Sequence, residues 1–223
     1  MTKQTFSIVS LAVAASILAA CSGAEPYFTS KRETWRAPDE IACLRSGIAS
    51  APYIHPRRSA LGGPRPCGAI RPLRVAATAA GQVALEPAAT LRCPMVPAID
   101  RWTREVVRPA ARRHFGRDVV ALKVIASYSC RPRNNRRGAK LSEHGYANAI
   151  DIAKFKLSDG REVSVLKGWR GGRAERAFLR EVHAGACRTF STVIGPNGDS
   201  HHQNHFHLDL ARHNRRGTYR YCK

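Results

Sequence analysis

The segment 205–210 (HFHLDL) alternates polar and apolar residues, and this alternation constrains the fold of the chain more than any other feature of its sequence. Neighbouring side chains of a β-strand point to opposite faces, so His205, His207 and Asp209 would share one face. The apolar residues between them would point into a core. We therefore predict a strand that presents a pair of histidines on the side away from the core.

A second polar segment, 142–152 (SEHGYANAIDI), complements the histidine pair. Ile150 and Ile152 place Asp151 on another strand, and six residues separate it from His144. Together with His207, this histidine and this aspartate would supply the three nitrogen and oxygen ligands of a catalytic zinc ion, with a fourth position left for water. The alternative is a hydrogen-bonded structural cluster without a metal.

Residues near these ligands have the chemistry that a zinc hydrolase needs. Zinc lowers the pKa of its bound water to about 7 and polarises carbonyl groups. His205, on the same face as His207, would act as the general base, and Glu143 is a reserve candidate. Arg131 follows a predicted strand over 119–128, and its guanidinium would bind a substrate carboxylate or an oxyanion. The alternative for this arginine is a solvated basic patch.

The N-terminus has the pattern of an export signal. Lys3 precedes a mostly apolar run over 6–20 that is too short to span a membrane as a mature helix. The run ends in Leu-Ala-Ala-Cys, which resembles the lipobox of bacterial lipoproteins, so Cys21 would carry lipid. The residue after this cysteine is Ser22 rather than aspartate, which resembles lipoproteins that are sorted to the outer membrane. The alternative is an uncleaved membrane anchor. We expect a signal peptide over 1–20, a linker over 21–39, a domain over 40–223, and a periplasmic lipoprotein anchored in the outer membrane.

Once Cys21 is assigned to lipid, six cysteines remain: Cys43, Cys67, Cys93, Cys130, Cys187 and Cys222. An even number in an exported chain predicts three disulfides, although six cysteines allow 15 pairings. The competing interpretation, a zinc site made of thiolates, lacks the usual CxxC spacing. The pairing therefore stays open at this point.

The chain is strongly basic, with 37 Lys and Arg against 16 Asp and Glu and a formal net charge of +21. Such a charge favours polyanions, and nucleic acid is the usual partner. Export argues against nucleic acid. We instead expect peptidoglycan peptides as partners, and a membrane contacted through the lipid anchor. The remaining domain has the size of a single unit, and we expect a monomer.

The pattern of apolar residues predicts an α+β domain, with helices on one side of an antiparallel sheet. Amphipathic helices are expected over 94–115, with a kink at Pro109, and over 174–186. The last strands are expected over 191–194 and 205–210. Residues 41–92 are rich in Pro, Gly and Ala and are expected to be irregular, with a short helix over 39–46 and one hairpin.

Four short motifs resemble the bacterial extensin-like C-terminal domain: 128–131 (YSCR), 141–144 (LSEH), 149–152 (AIDI) and 205–209 (HFHLD). The resemblance covers about residues 41–222. The pattern Ser-x-His-x6-Asp followed by His-x-His is also similar to the zinc peptidases of the lysostaphin, D-Ala-D-Ala carboxypeptidase and hedgehog group. This resemblance implies a disulfide-rich zinc fold of that group and hydrolysis of peptidoglycan peptide bonds.

Carried over residue by residue, the resemblance makes His144, Asp151 and His207 the zinc ligands and His205 the catalytic histidine. Arg131 matches the substrate-orienting arginine more loosely. The carboxypeptidase branch has a glutamate three residues before its last zinc histidine, where this chain has Asn204. The endopeptidase branch, which uses a second histidine, is therefore the better match.

Two other functions stay open. The missing glutamate also suits a metal-stabilised module of the same fold that binds wall peptides without cutting them. The histidines at positions 201–207 would suit periplasmic metal capture, although His201 and His202 are expected to be ordinary loop residues.

Overall fold

The computed structural model describes residues 33–57, 61 and 67–223. The predicted signal peptide, Cys21 and most of the predicted linker lie outside these residues. In the part of the chain that is described, no helix is long and apolar enough to cross a membrane.

The described residues contain one nine-stranded sheet, in the order β1-β2-β3-β4-β5-β8-β7-β9, with β6 paired to β5 beside this path. The strands are β1 (Ile54–Pro56), β2 (Leu73–Thr78), β3 (Val83–Leu91), β4 (Val119–Ala126), β5 (Ala149–Leu157), β6 (Glu162–Ser164), β7 (Thr192–Ile194), β8 (Phe206–Asp209) and β9 (Tyr221–Cys222). The predicted α+β class is confirmed. The predicted strands over 191–194 and 205–210 correspond to β7 and β8, and their predicted pairing is also confirmed.

The prediction of a purely antiparallel sheet is wrong at two pairs, because β3 pairs with β4 in parallel and β7 pairs with β9 in parallel. Parallel neighbours need a long crossover connection, and the helices between β3 and β4 provide it. Residues 41–92 were expected to be irregular with one hairpin, and β2 and β3 form that hairpin within residues 73–91. The parallel pairing of β3 with β4 was not expected.

The helices are α1 (Arg36–Arg45), α2 (Met95–Trp102), α3 (Arg108–Phe115), α4 (Val165–Gly168) and α5 (Arg173–Thr189). A π-helical segment, Thr103–Val107, joins α2 to α3 and ends directly before the first turn that contains Pro109. The expected helix over 94–115 is therefore present, but it is interrupted by the π-helical segment directly before Pro109. Proline has no backbone N–H to donate, so the regular hydrogen-bond pattern is broken there.

The core lies between one face of the sheet and helices α2, α3 and α5. Its fully buried aromatic side chains meet edge to face, with 6.1 Å between the centroids of Trp102 and Phe155 and 5.1 Å between those of Phe155 and Phe178. Phe206 and Leu208 of β8 belong to the same buried cluster. Each such side chain contributes about 1.5–3 kcal/mol by leaving water. The opposite face of β8, which carries His207, points away from α5.

Three disulfides are formed as predicted, with the pairing Cys43–Cys93, Cys67–Cys130 and Cys187–Cys222. They close loops with sequence separations of 50, 63 and 35 residues. Such links stabilise the fold mainly by restricting the unfolded chain. They indicate an oxidising, extracytoplasmic compartment.

Candidate metal centre

The pairing of β5 with β8 brings the two predicted ligand motifs together. The strands run antiparallel, and Asp151 lies directly opposite His207 in the register. Opposite residues of an antiparallel pair project from the same face. His144 lies in the short 3₁₀ turn Glu143–Tyr146, which is capped by Ser142 and leads directly into β5.

The three predicted ligands converge on one point. Nε2 of His144 lies 3.1 Å from Asp151 Oδ2 and 3.2 Å from Nδ1 of His207. Nδ1 of His207 lies 2.9 Å from Asp151 Oδ1. The exposed fractions of His144, Asp151 and His207 are 1%, 4% and 7%. The convergence of these side chains is confirmed.

Hydrogen bonds at the far side of each imidazole orient the rings. Nδ1 of His144 lies 2.5 Å from the carbonyl oxygen of Ser127, and Nε2 of His207 lies 3.0 Å from Asp209 Oδ2. These oxygens only accept, so both ring nitrogens donate. In the neutral rings, the other two nitrogens then present lone pairs toward each other and toward Asp151. Acceptors gathered in this way need a cation between them, either a proton or a metal ion.

The pKa shifts agree with a centre built around a positive charge. Burial works to raise the pKa of Asp151, but hydrogen bonds from His144 and His207 outweigh burial and hold that pKa well below its ordinary value. Burial works against the charged form of His207, but Asp151 and Asp209 raise the pKa of this ring above its ordinary value. The carboxylates thus stay ionised and favour a cation at the imidazole between them.

His205 lies beside the three ligands rather than among them. Its Nε2 is 3.6 Å from Asp151 Oδ2, and its Nδ1 donates to Asn204 Oδ1 over 2.7 Å. Burial lowers the pKa of His205 to about 4, so the ring is neutral at pH 7. A neutral ring with a free Nε2 lone pair has the chemistry of a general base.

An open cleft of about 520 Å³ leads to the centre. Arg131 lines this cleft together with the three ligands and His205. The structure therefore places the predicted arginine at the same concavity, and its contact with substrate stays a prediction.

Glu143, the reserve candidate for the base, forms buried hydrogen bonds that stabilise the fold. Its two carboxylate oxygens accept hydrogen bonds from Arg36 of α1 over 2.8 and 2.9 Å, and Asn148 donates a further bond over 2.6 Å. All three side chains are buried. This carboxylate ties α1 to the turn that carries the neighbouring ligand, His144, so it is engaged in structure.

Asp209 is a site residue that the sequence analysis did not assign, although its position two residues after His207 was a signal for it. It accepts from Nε2 of His207, from the backbone N–H of Ala211 over 2.9 Å and from the hydroxyl of Thr192. Oγ1 of Thr192 lies 2.8 Å from Nε2 of His213 at the surface of the cleft. This chain of hydrogen bonds fixes the ring of His207.

His202 was also missed, because it was expected to be an ordinary loop residue. It is buried, and its Nδ1 donates to Asp199 Oδ1 over 2.6 Å. Its ring centroid lies 5.1 Å from that of His205 and 5.7 Å from that of His207. The loop lacks the periodicity that would have revealed this burial. His201 remains exposed at the rim of the cleft.

A second cluster of potential ligands, His183, Cys187 and Cys222, lies elsewhere. Both of its cysteines form one disulfide, so their sulfurs are not available as thiolate ligands. Within the described residues, His144, Asp151 and His207 remain the group that fits a metal ion.

The comparisons with known proteins bear on the family rather than on the reaction. No curated protein and no solved structure matches this chain, so the similarity to zinc peptidases stays a prediction. The family model described as the extensin-like protein C-terminus matches residues 41–223, which include both ligand motifs and all three disulfides. The chain therefore belongs to the extensin-like C-terminal family.

Proposed function

We propose that this chain is a zinc-dependent hydrolase that cleaves peptide bonds of peptidoglycan, as an endopeptidase. The observation that carries the proposal is the convergence of His144 Nε2, an Asp151 oxygen and His207 Nδ1 within 4.8 Å of one another. Two imidazoles and one carboxylate form a donor set used by catalytic zinc, with the fourth position left open. The cleft beside this set gives a substrate access to it.

When bound, zinc would supply Lewis acidity to a peptide carbonyl and to the attacking water. The residues of the chain would do the rest. Nε2 of His205 would accept the proton of the water and return it to the leaving amine. The guanidinium of Arg131 would orient the substrate by binding a carboxylate, or would stabilise the developing oxyanion.

The proposed setting is the periplasm, with a monomeric enzyme tethered to the outer membrane through a lipid on Cys21. The three disulfides support an oxidising compartment. The net charge of +21 supports attraction to the anionic wall and membrane surfaces found there.

Digestion of purified sacculi tests this function. The mature protein should carry a single zinc ion and release muropeptides, and a chelator should stop the release. His207→Ala should abolish both zinc binding and release. His55→Ala is the matched control, because His55 is exposed on the edge strand β1 and should leave both properties unchanged. Full activity of the His207→Ala protein would refute the proposal.

A metal-stabilised wall-binding module without catalysis is the second candidate. It is favoured by the side chain at position 204, where Asn204 only accepts a hydrogen bond from His205 and offers no carboxylate base. Tight, zinc-dependent binding to sacculi with an unchanged muropeptide profile would support this module and exclude the hydrolase.

A further inference from the structure

The first part of the basic loop over 131–140 lines the cleft. We name its cations the cationic rim: Arg131, Arg133, Arg136, Arg137 and Lys140. The loop contains no acidic residue. Arg131 and Arg133 line the same cleft as the metal ligands, together with Asn134 and Asn135.

Backbone contacts hold this loop in a defined shape beside the ligand turn. Arg133 N donates to the carbonyl of Lys140 over 2.9 Å, and Ser142 N donates to the carbonyl of Arg131 over 3.0 Å. Asn134 and Asn135 both adopt the left-handed conformation, with φ of 53°, which asparagine tolerates better than most residues. The ligand His144 follows Ser142 closely, so the rim and the metal centre are parts of one continuous structure.

The rim cations differ from many arginines elsewhere on the surface. Arg104, Arg112 and Arg212 each have a carboxylate partner, at 2.6, 2.7 and 2.9 Å. Among the described residues, no ion pair joins a rim cation to a carboxylate. Glu33 is close enough to Arg133 for a weak electrostatic interaction, but its carboxylate forms its ion pair with Arg36, at 3.0 Å.

The acidic residues that line the cleft have other hydrogen-bond partners, and none of them forms an ion pair with the rim. Asp151 and Asp209 accept hydrogen bonds from the histidines of the centre. Asp199 accepts from His202, and Glu143 accepts from Arg36. Arg131 and Arg133, the rim cations that line the cleft, therefore present positive charge to whatever enters it, and a ligand with free carboxylates would complement them.

We propose that the cleft selects acidic peptides, whose free carboxylates bind Arg133 and its rim neighbours while the adjoining peptide bond lies at the metal centre. This inference rests on the proposed function and adds the class of substrate to it. A guanidinium binds a carboxylate through two parallel hydrogen bonds, which gives orientation as well as affinity. Amidation of those carboxylates would remove the partner and leave the shape of the peptide almost unchanged.

Equilibrium binding tests the inference separately from hydrolysis. The probe is a fluorescein-labelled Ala-Glu-Lys-Ala peptide with free carboxylates, compared with the same peptide with both carboxylates amidated. Binding to the zinc-loaded mature protein is followed by fluorescence anisotropy, in a His205→Ala background that prevents cleavage. The acidic peptide should bind about tenfold more tightly than the amidated one, since hydrogen bonds to charged groups are stronger than those between neutral groups.

The substitution Arg133→Gln should reduce that preference to less than about threefold and leave the affinity for the amidated peptide unchanged. The matched control is Arg176→Gln, which removes the same charge from an exposed position on α5, across the sheet from the cleft. This control should retain the full preference. Zinc content and circular dichroism would confirm that both variants are folded.

Equal affinity for the two peptides would overturn the inference, as would an unchanged preference in Arg133→Gln. An equal loss in Arg176→Gln would show that the total charge of the protein attracts the peptide and would also overturn it. The peptide experiment measures binding and does not require hydrolysis. If sacculus digestion fails, the proposed hydrolase is refuted, but the preference for the acidic peptide can still be measured.

Discussion

His207 donates through Nε2 to Asp209 Oδ2 over 3.0 Å, and the same bond leaves Nδ1 of His207 facing Asp151. The two residues lie on one face of β8, with Leu208 between them in the core. Asp209 thus selects which ring nitrogen is available to a metal ion, an arrangement that recurs around metal-binding histidines.

The first prediction concerns this carboxylate. Asp209→Asn should weaken zinc binding by about 10- to 100-fold, because the amide removes the negative charge that holds the ring. Competition with a chromophoric chelator measures the affinity. Asp159→Asn is the control, since Asp159 lies in the turn after β5 and pairs with Arg161 at the surface. An unchanged zinc affinity in Asp209→Asn would show that the contact has no positioning role.

The second prediction concerns the buried pair between Arg36 and Glu143, whose side chains are 3% and 5% exposed. Arg36→Met should destabilise the fold by about 3–5 kcal/mol, because it leaves the carboxylate of Glu143 buried without a full partner. Urea unfolding measures the loss. Arg104→Met should cost less than about 1 kcal/mol, because its ion pair with Asp100 is solvent-exposed. Equal losses in the two variants would contradict a structural role for the buried pair.

The convergence of the three candidate ligands could be predicted from the sequence because a strand has a period of two. Alternation over 205–210 placed His207 on the polar face, and Ile150 and Ile152 did the same for Asp151. One hairpin was expected within residues 41–92, but the bounds of β2 and β3 could not be predicted in this way, because Ala-rich residues and Pro87 obscure their alternation. The parallel pair of β3 and β4 was missed for the same reason.

Contacts between residues far apart in the chain, such as the disulfide pairing, could not be predicted from the sequence either. Nothing in the spacing of six cysteines selects Cys67–Cys130, because the choice depends on which loops meet in space. The burial of His202 depends on Asp199 and on the neighbouring strand, so a loop segment without periodicity could not reveal it.

The third prediction concerns stability in acid. Burial works to raise the pKa of Glu33, but hydrogen bonds and the charge of Arg36 outweigh it and lower that pKa from its ordinary value of 4.5. A carboxyl with a depressed folded-state pKa stabilises the fold above its unfolded-state pKa, and this contribution disappears as the pH falls through the folded-state pKa. The difference in urea midpoint between the wild type and Glu33→Gln should therefore be constant near neutral pH and vanish in acid.

The control for this measurement is Glu105→Gln, since Glu105 is exposed and its ion pair with Arg104 lies at the surface. Its midpoint should follow that of the wild type at every pH. A Glu33→Gln difference that persists unchanged down to about pH 2 would contradict the assigned cause.

The last prediction concerns metal removal. We expect zinc to bind the folded centre more tightly than the unfolded chain and so to raise the midpoint of thermal unfolding, with a gain of about 2.7 kcal/mol when free zinc is a hundredfold above its dissociation constant. A chelator should reverse this gain, and His144→Ala should abolish it, because that change removes one ligand and exposes the acceptors that face Nε2. His55→Ala should keep the full gain, since its side chain is exposed on β1. Calorimetry with and without zinc measures both variants. The same zinc-dependent shift in His144→Ala would place the ion elsewhere on the chain and remove the basis for a metal centre between β5 and β8.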